Sequence, residues 1–134
     1  MIKSLALFLE DKIPELTVGV NFFAGFRPQT APDSCVVLLE TAGGESNYYV
    51  RDLEFLHVQV VVRGRTLFEA RNLARKIHAV LHGVAGVTVG ISPTFYFVGG
   101  ITAISIPQYI GQDDNRRFEM STNYRVAYYK TTGS

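Results

Sequence analysis

Residues 54–83 read EFLHVQVVVRGRTLFEARNLARKIHAVLHG, and this stretch decides the fold. Its first ten residues alternate between two sets of side chains, which is the two-residue period of a half-buried strand. One set is wholly apolar and the other is mixed, so we predict a strand from Glu54 to Arg63 with one face on the core. The apolar set is Leu56, Val58, Val60 and Val62, and the mixed set is Phe55, His57, Gln59, Val61 and Arg63.

An amphipathic helix follows the break at Gly64-Arg65. Thr66 and Glu69 form a capping box, in which the hydroxyl and the carboxylate satisfy backbone N–H groups left unpaired at a helix start. Gly83 stands where a left-handed C-terminal cap favours glycine. We therefore predict a helix from Thr66 to about His82. Its core face comprises apolar residues at helical spacing, namely Ala70, Leu73, Ala74, Ile77, Val80 and Leu81.

The residues before this unit predict one further helix and two strands. Apolar residues recur at helical spacing from Ile2, and Pro14 cannot continue a helix, so an N-terminal helix should end at Lys12 or Ile13. The Gly and Pro residues after Phe22 indicate an irregular loop. The expected order is a strand at Leu16–Phe22, a loop at Phe23–Ser34, a buried strand at Cys35–Thr41 and a turn at Thr41–Asn47.

The residues after the helix predict several strands. The clearest runs from Arg117 to Tyr129, where apolar and polar residues alternate, and the polar turn Gly111–Arg116 joins it to the strand before it. Shorter strands are expected at Val87–Ile91, Thr94–Val98 and Ile101–Tyr109. We thus predict one α+β domain spanning residues 1–134: a mostly antiparallel, mixed sheet packed against an N-terminal helix and a central amphipathic helix, with a long C-terminal β-hairpin.

Composition excludes several classes of protein. The net charge of +1 and the pI near 7.9 favour neither a polyanion-binding nor a strongly acidic protein. The single cysteine, Cys35, lies in an apolar run, so we expect a buried thiol in a reducing cytoplasm. Residues 83–112 carry no Asp, Glu, Lys or Arg, but glycines and Pro93 interrupt them. We interpret them as strands and predict no membrane span.

The sequence offers no signature of catalysis, of a cofactor or of a metal site. It lacks both the phosphate-binding glycine motifs and the G-x-S-x-G nucleophile motif. His78 and His82 are four residues apart, but a zinc site needs further ligands. Turn chemistry accounts for Asp113 and Asp114. We therefore expect a protein that is not an enzyme and holds no cofactor.

Two other functions stay open. Arg71, Arg75, His78 and His82 form a cationic stripe on the helix face turned away from the core. This stripe is either a solvated surface or a contact for an acidic protein or for nucleic-acid phosphates. A nucleic-acid-binding module is therefore the alternative function. A third hypothesis is a small-ligand pocket, lined by Phe95, Tyr96 and Phe97.

The order of these elements resembles the tail terminator, or tail-completion, proteins of long-tailed bacteriophages, also catalogued as minor capsid proteins. The resemblance covers most of the chain. Four segments carry it: the helix Met1–Ile13, the strand end Gln59–Gly64 (QVVVRG), the helix Glu69–Leu81, and the late segment Pro107–Val126 with its PQYIGQD and RFEMSTNYRV runs.

The resemblance implies a non-enzymatic virion protein whose subunits form a ring, typically hexameric. Such a ring caps the tail tube, stops its polymerisation and joins the tail to the head, after assembly in the host cytoplasm. The implied partners are further copies of the chain, the tail tube protein and a head-completion or connector protein, with DNA only as passing cargo and no membrane. The expected contact residues are Phe55, His57, Gln59, Arg63, Arg71, Arg75, His78, His82, Gln112, Asp113, Asp114 and Arg116.

Overall fold

The computed structural model describes residues 1–46 and 52–132, and at residues 42, 43 and 130–132 it describes the backbone alone. The predicted α+β class is confirmed. In chain order the elements are α1 (Ile2–Lys12), β1 (Phe22–Ala24), β2 (Cys35–Ser46), β3 (Leu53–Gly64), α2 (Leu67–Leu81), β4 (Val87–Ile91), β5 (Thr94–Ala103), β6 (Gln108–Gln112) and β7 (Phe118–Thr132).

The seven strands form one mixed sheet in the order β1-β2-β3-β7-β5-β4, with β6 also paired to β7. Strand β1 is parallel to β2, and the other pairs are antiparallel. Strand β7 lies at the centre, because its residues Phe118–Tyr129 pair with β3 on one side while β5 and β6 share its other side end to end. The predicted C-terminal hairpin is therefore present, with β7 as its long strand.

The first strand of that hairpin is broken, so the prediction of one continuous strand at Ile101–Tyr109 was wrong. Strand β5 ends at Ala103 and β6 begins at Gln108. The Ile104 N–H still donates to the Asn123 carbonyl at 2.8 Å. The chain leaves the ladder before Pro107, which has no N–H to offer a neighbouring strand.

The core lies between one face of the sheet and both helices. The four apolar residues of the predicted inner face of β3 are buried, and so are the residues of α2 and α1 that face them. Burying one such aliphatic side chain contributes about 1.5–3 kcal/mol, so this layer supplies most of the driving force for folding. The layer includes Leu5, Ala6, Leu9, Leu56, Val58, Val60, Val62, Ala70, Ala74, Ile77 and Leu81.

Helix α2 begins and ends as its sequence predicts. The Thr66 hydroxyl oxygen accepts a hydrogen bond from the Glu69 N–H at 3.0 Å, and Gly83 has a φ of +89° just beyond the last turn. The predicted second half of the capping box was wrong, because the Glu69 carboxylate accepts from the Ser34 hydroxyl and pairs with Arg65 at 3.7 Å. It therefore links the helix start to the segment before β2.

Three predictions before β3 were wrong. The loop expected from Phe23 begins later, because Phe23 and Ala24 continue strand β1. The segment expected to be a strand from Leu16 forms turns, because the Thr17 carbonyl accepts the N–H groups of Val20 and Asn21. The expected turn after Thr41 is instead a continuation of β2 to Ser46, with a register shift between Thr41 and Glu45. A bulge of this kind absorbs extra residues within a strand. The remainder of the expected turn, at Asn47, lies outside the described residues.

Candidate assembly surfaces

The sheet face opposite the helices carries the mixed residues of β3. Phe55, His57 and Gln59 are half-buried there. The guanidinium carbon of Arg125 lies 4.0 Å from the Phe55 ring centroid, a cation–π contact. Gln59 Nε2 donates to the Ser121 Oγ at 2.8 Å. We call these residues the open sheet face; they form a polar and aromatic surface that interactions across β3 and β7 hold in place.

Arg63 lies on the same side of β3, but it is only 5% exposed. Its guanidinium donates to the carbonyl oxygens of Pro32 at 2.7 Å and Asp33 at 3.2 Å. The loop before β2 therefore covers this end of the sheet, and Arg63 fastens that loop. The structure places Arg63 inside the subunit, which corrects its prediction as a surface contact; strand alternation identifies a face but not the loop that covers it.

Asp113 organises the turn between β6 and β7. Its Oδ1 accepts the N–H groups of Asn115 at 3.0 Å and Arg117 at 2.9 Å, and its Oδ2 accepts from Arg117 Nε at 2.7 Å. Burial opposes ionisation of the carboxyl, but these bonds to Arg117 and Asn115 outweigh it and lower the pKa of Asp113. Asp113 thus holds the turn together, also 3.8 Å from Arg63.

The other predicted turn residues remain available for contacts. Gln112, Asp114 and Arg116 are exposed. Arg116 has a φ of +61°, an uncommon conformation for a residue with a side chain, and its N–H donates to the Asp113 carbonyl at 3.0 Å. The predicted polar turn is present, and the role of its exposed residues in contacts with a partner stays a prediction.

The cationic stripe divides into two parts. Arg71 and Arg75 are exposed, whereas His78 is half-buried with its Nδ1 3.3 Å from the Tyr124 hydroxyl. Burial, followed by the charges of His82 and Arg75, lowers the pKa of His78. His82 stacks on His78 with ring centroids 5.3 Å apart. His78 therefore belongs to the packing of α2 on the sheet, whereas His82 is exposed.

His82 also has a specific partner on the sheet. Its Nδ1 accepts the Ala103 N–H at 3.1 Å. Of the four stripe residues, Arg71, Arg75 and His82 are exposed, as a solvated face requires, whereas His78 is half-buried against Tyr124. Helical spacing shows that the four residues share one side of α2. It does not show that β5 and β7 contact the C-terminal half of that side, at His82 and His78.

The predicted aromatic pocket is contradicted by the structure. Phe95, Tyr96 and Phe97 are consecutive in β5, so the middle ring points to the opposite face from the other two. The Tyr96 ring packs edge-on against Tyr128 at 5.6 Å, and the Phe97 ring is tilted against Tyr129 at 6.3 Å. These rings form cross-strand pairs and do not line one cavity.

The remaining chemical groups give no site among the described residues. Cys35 is 1% exposed, and burial raises the pKa of its thiol. Within residues 1–46 and 52–132, no three His, Cys, Asp or Glu side chains are grouped so that they could hold a metal ion. Of the helices in that part of the chain, none is both long enough and apolar enough to cross a membrane.

The sequence predictions missed one feature of the surface, a set of exposed apolar side chains. Four of them lie between residues 104 and 110, within the uncharged segment 83–112. The absence of charge was the available signal, but the sequence alone did not show which of these residues the sheet leaves uncovered. The four are Ile104, Ile106, Tyr109 and Ile110.

Comparison with known families decides the class of this protein. A family model described as bacteriophage tail terminator protein matches residues 11–130, which are 120 of the 134 residues. The chain belongs to this family. The predicted family is therefore confirmed, and membership makes the chain a structural component of the phage virion. A search of curated proteins gives no match for this tail terminator.

Proposed function

We propose that this chain is a ring-forming tail terminator that caps the phage tail tube, stops its polymerisation and provides the surface to which the head is joined. The match of 120 residues to the tail terminator family carries the proposal. In this role the protein acts by geometry, as a closed ring placed on the end of a tube, and performs no catalysis.

The form of the subunit supports this proposal. Both helices pack on one face of the sheet, which leaves the open sheet face and the turn at Gln112–Arg116 free of helical cover. A ring built from one kind of subunit needs two different surfaces that meet head to tail. A sheet covered on one side offers such surfaces at its uncovered face and at its two outer edges.

The proposed partners are further copies of the chain, the tail tube protein and a head-completion or connector protein. Six copies are the proposed ring number, and DNA passes through the ring as cargo. The proposed location is the head–tail junction of the virion, after assembly in the host cytoplasm. The open sheet face and the exposed residues of the β6–β7 turn are the proposed contacts with neighbouring subunits or with the tube.

Tube growth tests this function. Tail tube protein is allowed to polymerise alone, with this chain, or with an unrelated protein of similar size, and tube lengths are measured by electron microscopy. We expect the chain to stop elongation when it is added during growth, and the purified chain to sediment as a ring. A strictly monomeric protein that leaves tube length unchanged would overturn the proposal.

A nucleic-acid-binding module is the second candidate, and the structure leaves it with less support than the sequence did. Of the four stripe residues, Arg71, Arg75 and His82 are exposed, while His78 is half-buried against Tyr124 and the Nδ1 of His82 already accepts the Ala103 N–H. Since each phosphate contact needs an accessible cation, the stripe offers two side chains to a duplex.

A further inference from the structure

An uncharged apolar patch covers β6 and the bend before it. Ile104, Ile106, Tyr109 and Ile110 are 59%, 58%, 48% and 54% exposed. Depletion of charge and exposed apolar side chains mark the centre of protein interfaces. Among the described strands, β6 pairs only with β7, so its outer edge is uncovered. These four residues are called the β6 patch below.

An apolar groove lies at the other end of the sheet, beside β1. It has a volume of about 210 Å³ and contains one charged residue, Lys3, which is exposed. Phe26 beside it is 70% exposed. Pockets for drug-sized ligands are roughly 300–1,000 Å³, so a groove of this size suits side chains of a protein better. The β1 groove, as it is called below, is lined by Lys3, Val18, Gly19, Phe22, Phe23, Ala24 and Phe26.

The β6 patch and the β1 groove lie far apart across the strand order of the sheet, towards opposite edges. Strand β1 is the first strand in the order, and β6 lies four strand positions away, beyond β2, β3 and β7. At roughly 4.8 Å per strand, the two are on the order of 19 Å apart. A subunit therefore cannot fill its own groove with its own patch, whereas a second copy of the chain can.

We infer that the β6 patch of one subunit docks into the β1 groove of the next copy of the chain. This inference rests on the proposed ring and names the two surfaces that build it. One chain carries both halves, and the apolar patch meets an apolar groove. Because the halves differ, the contact is heterologous, and repeating it around a rotation axis that closes produces a ring.

Two disruptive substitutions and a matched control test the contact. Ile106→Asp places a charge in the patch, Phe26→Asp places one at the groove, and Phe68→Asp changes an equally exposed apolar residue at the start of α2, which belongs to neither surface. We expect each of the first two to reduce ring formation at least tenfold and the control to leave it unchanged. Circular dichroism of the monomers should be the same for all three variants.

Cross-linking then tests which surfaces meet. Ile106→Cys and Phe26→Cys proteins are mixed, allowed to assemble into rings together and treated with a short bismaleimide. The native Cys35 should not react, because it is buried. We expect a dimer on a denaturing gel from this mixture. Little should form from either variant alone, or from Ile106→Cys mixed with Phe68→Cys.

These outcomes distinguish a failure of the proposed contact from a failure of the proposed ring. Rings that survive both Ile106→Asp and Phe26→Asp, or equal cross-linking in the Phe68 control mixture, overturn the contact and leave the ring-forming function standing. Wild-type protein that remains monomeric in the presence of tubes overturns the ring, and this contact with it.

Discussion

Arg63 Nη2 donates a hydrogen bond to the Pro32 carbonyl oxygen at 2.7 Å, and so ties strand β3 to the loop before β2. The same guanidinium contacts the Asp33 carbonyl at 3.2 Å and lies 3.8 Å from Asp113. Arg117 continues the network, with Nη1 3.2 Å from the Asp33 carboxylate. One buried cation therefore holds together a loop, a strand and the hairpin turn.

Replacing Arg63 should affect folding, not only assembly. Arg63→Met removes the charged donor of the hydrogen bonds to the Pro32 and Asp33 carbonyl oxygens, and hydrogen bonds to a charged group contribute about 1.5–3 kcal/mol. We expect the free energy of unfolding to fall by about 2–3 kcal/mol in urea denaturation. Arg71→Met, at an exposed position on α2, is the control and should change it by less than about 0.5 kcal/mol. Equal effects of the two substitutions would contradict the buried role of Arg63.

Gly90 is required by the tight approach of β4 to β5. It has a φ of +129°, and a Cβ there would lie 2.5 Å from the Thr94 carbonyl oxygen, which is backbone and cannot move aside. We expect Gly90→Ala to lower the free energy of unfolding by more than about 1 kcal/mol. At Gly99 the nearest atom to such a Cβ is the Ala127 carbonyl oxygen at 3.7 Å, so Gly99→Ala should be tolerated. Thermal denaturation of both variants distinguishes these outcomes.

The turn at Asp113 should weaken in acid. The pKa of Asp113 is lower in the folded chain than its ordinary value of 3.8, so the folded state favours the ionised carboxyl. Its contribution to stability is present above pH 3.8 and is lost as pH falls through the lower, folded pKa. Asp113→Asn should lower the melting temperature at pH 7, and the difference from wild type should shrink below pH 4. A difference that stays constant with pH would contradict an ionised Asp113.

Binding of nucleic acid can be tested through the two exposed arginines of the stripe. If the alternative function holds, duplex DNA should bind with an affinity that falls steeply with salt and decreases at least tenfold in Arg71→Ala/Arg75→Ala. Our account of a structural virion protein predicts no specific binding at physiological salt and no difference between that variant and wild type. Fluorescence anisotropy with labelled DNA measures both, with Arg65→Ala, another exposed arginine, as the control.

Local patterns predicted the elements whose signals lie within one segment. The caps at Thr66 and Gly83 and the alternation of β3 and β7 needed only neighbouring residues, and the structure confirms them. Features that depend on distant residues were not predictable. Arg63 is buried by a loop some 30 residues earlier, and His78 reaches Tyr124 on β7. The sequence around Arg63 and His78 does not indicate these distant partners.

The same distinction applies to the assembly surfaces. Residues 83–112 form a run of 30 residues without a charged side chain, which indicates surplus apolar surface. Both buried and exposed apolar residues produce such a run, so the sequence does not show which residues are exposed. Only the folded structure shows that Ile106 and Ile110 are left outside the core, with 58% and 54% of their surface exposed. The β1 groove could not be predicted from the sequence either. The segment leading to Phe22 was expected to be a strand and instead folds into turns.

Imaging the ends of tail tubes tests the central claim most directly. Purified tubes are mixed with the wild-type chain and examined by electron microscopy with averaging of the tube ends. Our account predicts an additional ring of density at one end of each tube, absent from tubes imaged without the chain. Bare tube ends, with the chain remaining monomeric in the same mixture, would contradict it.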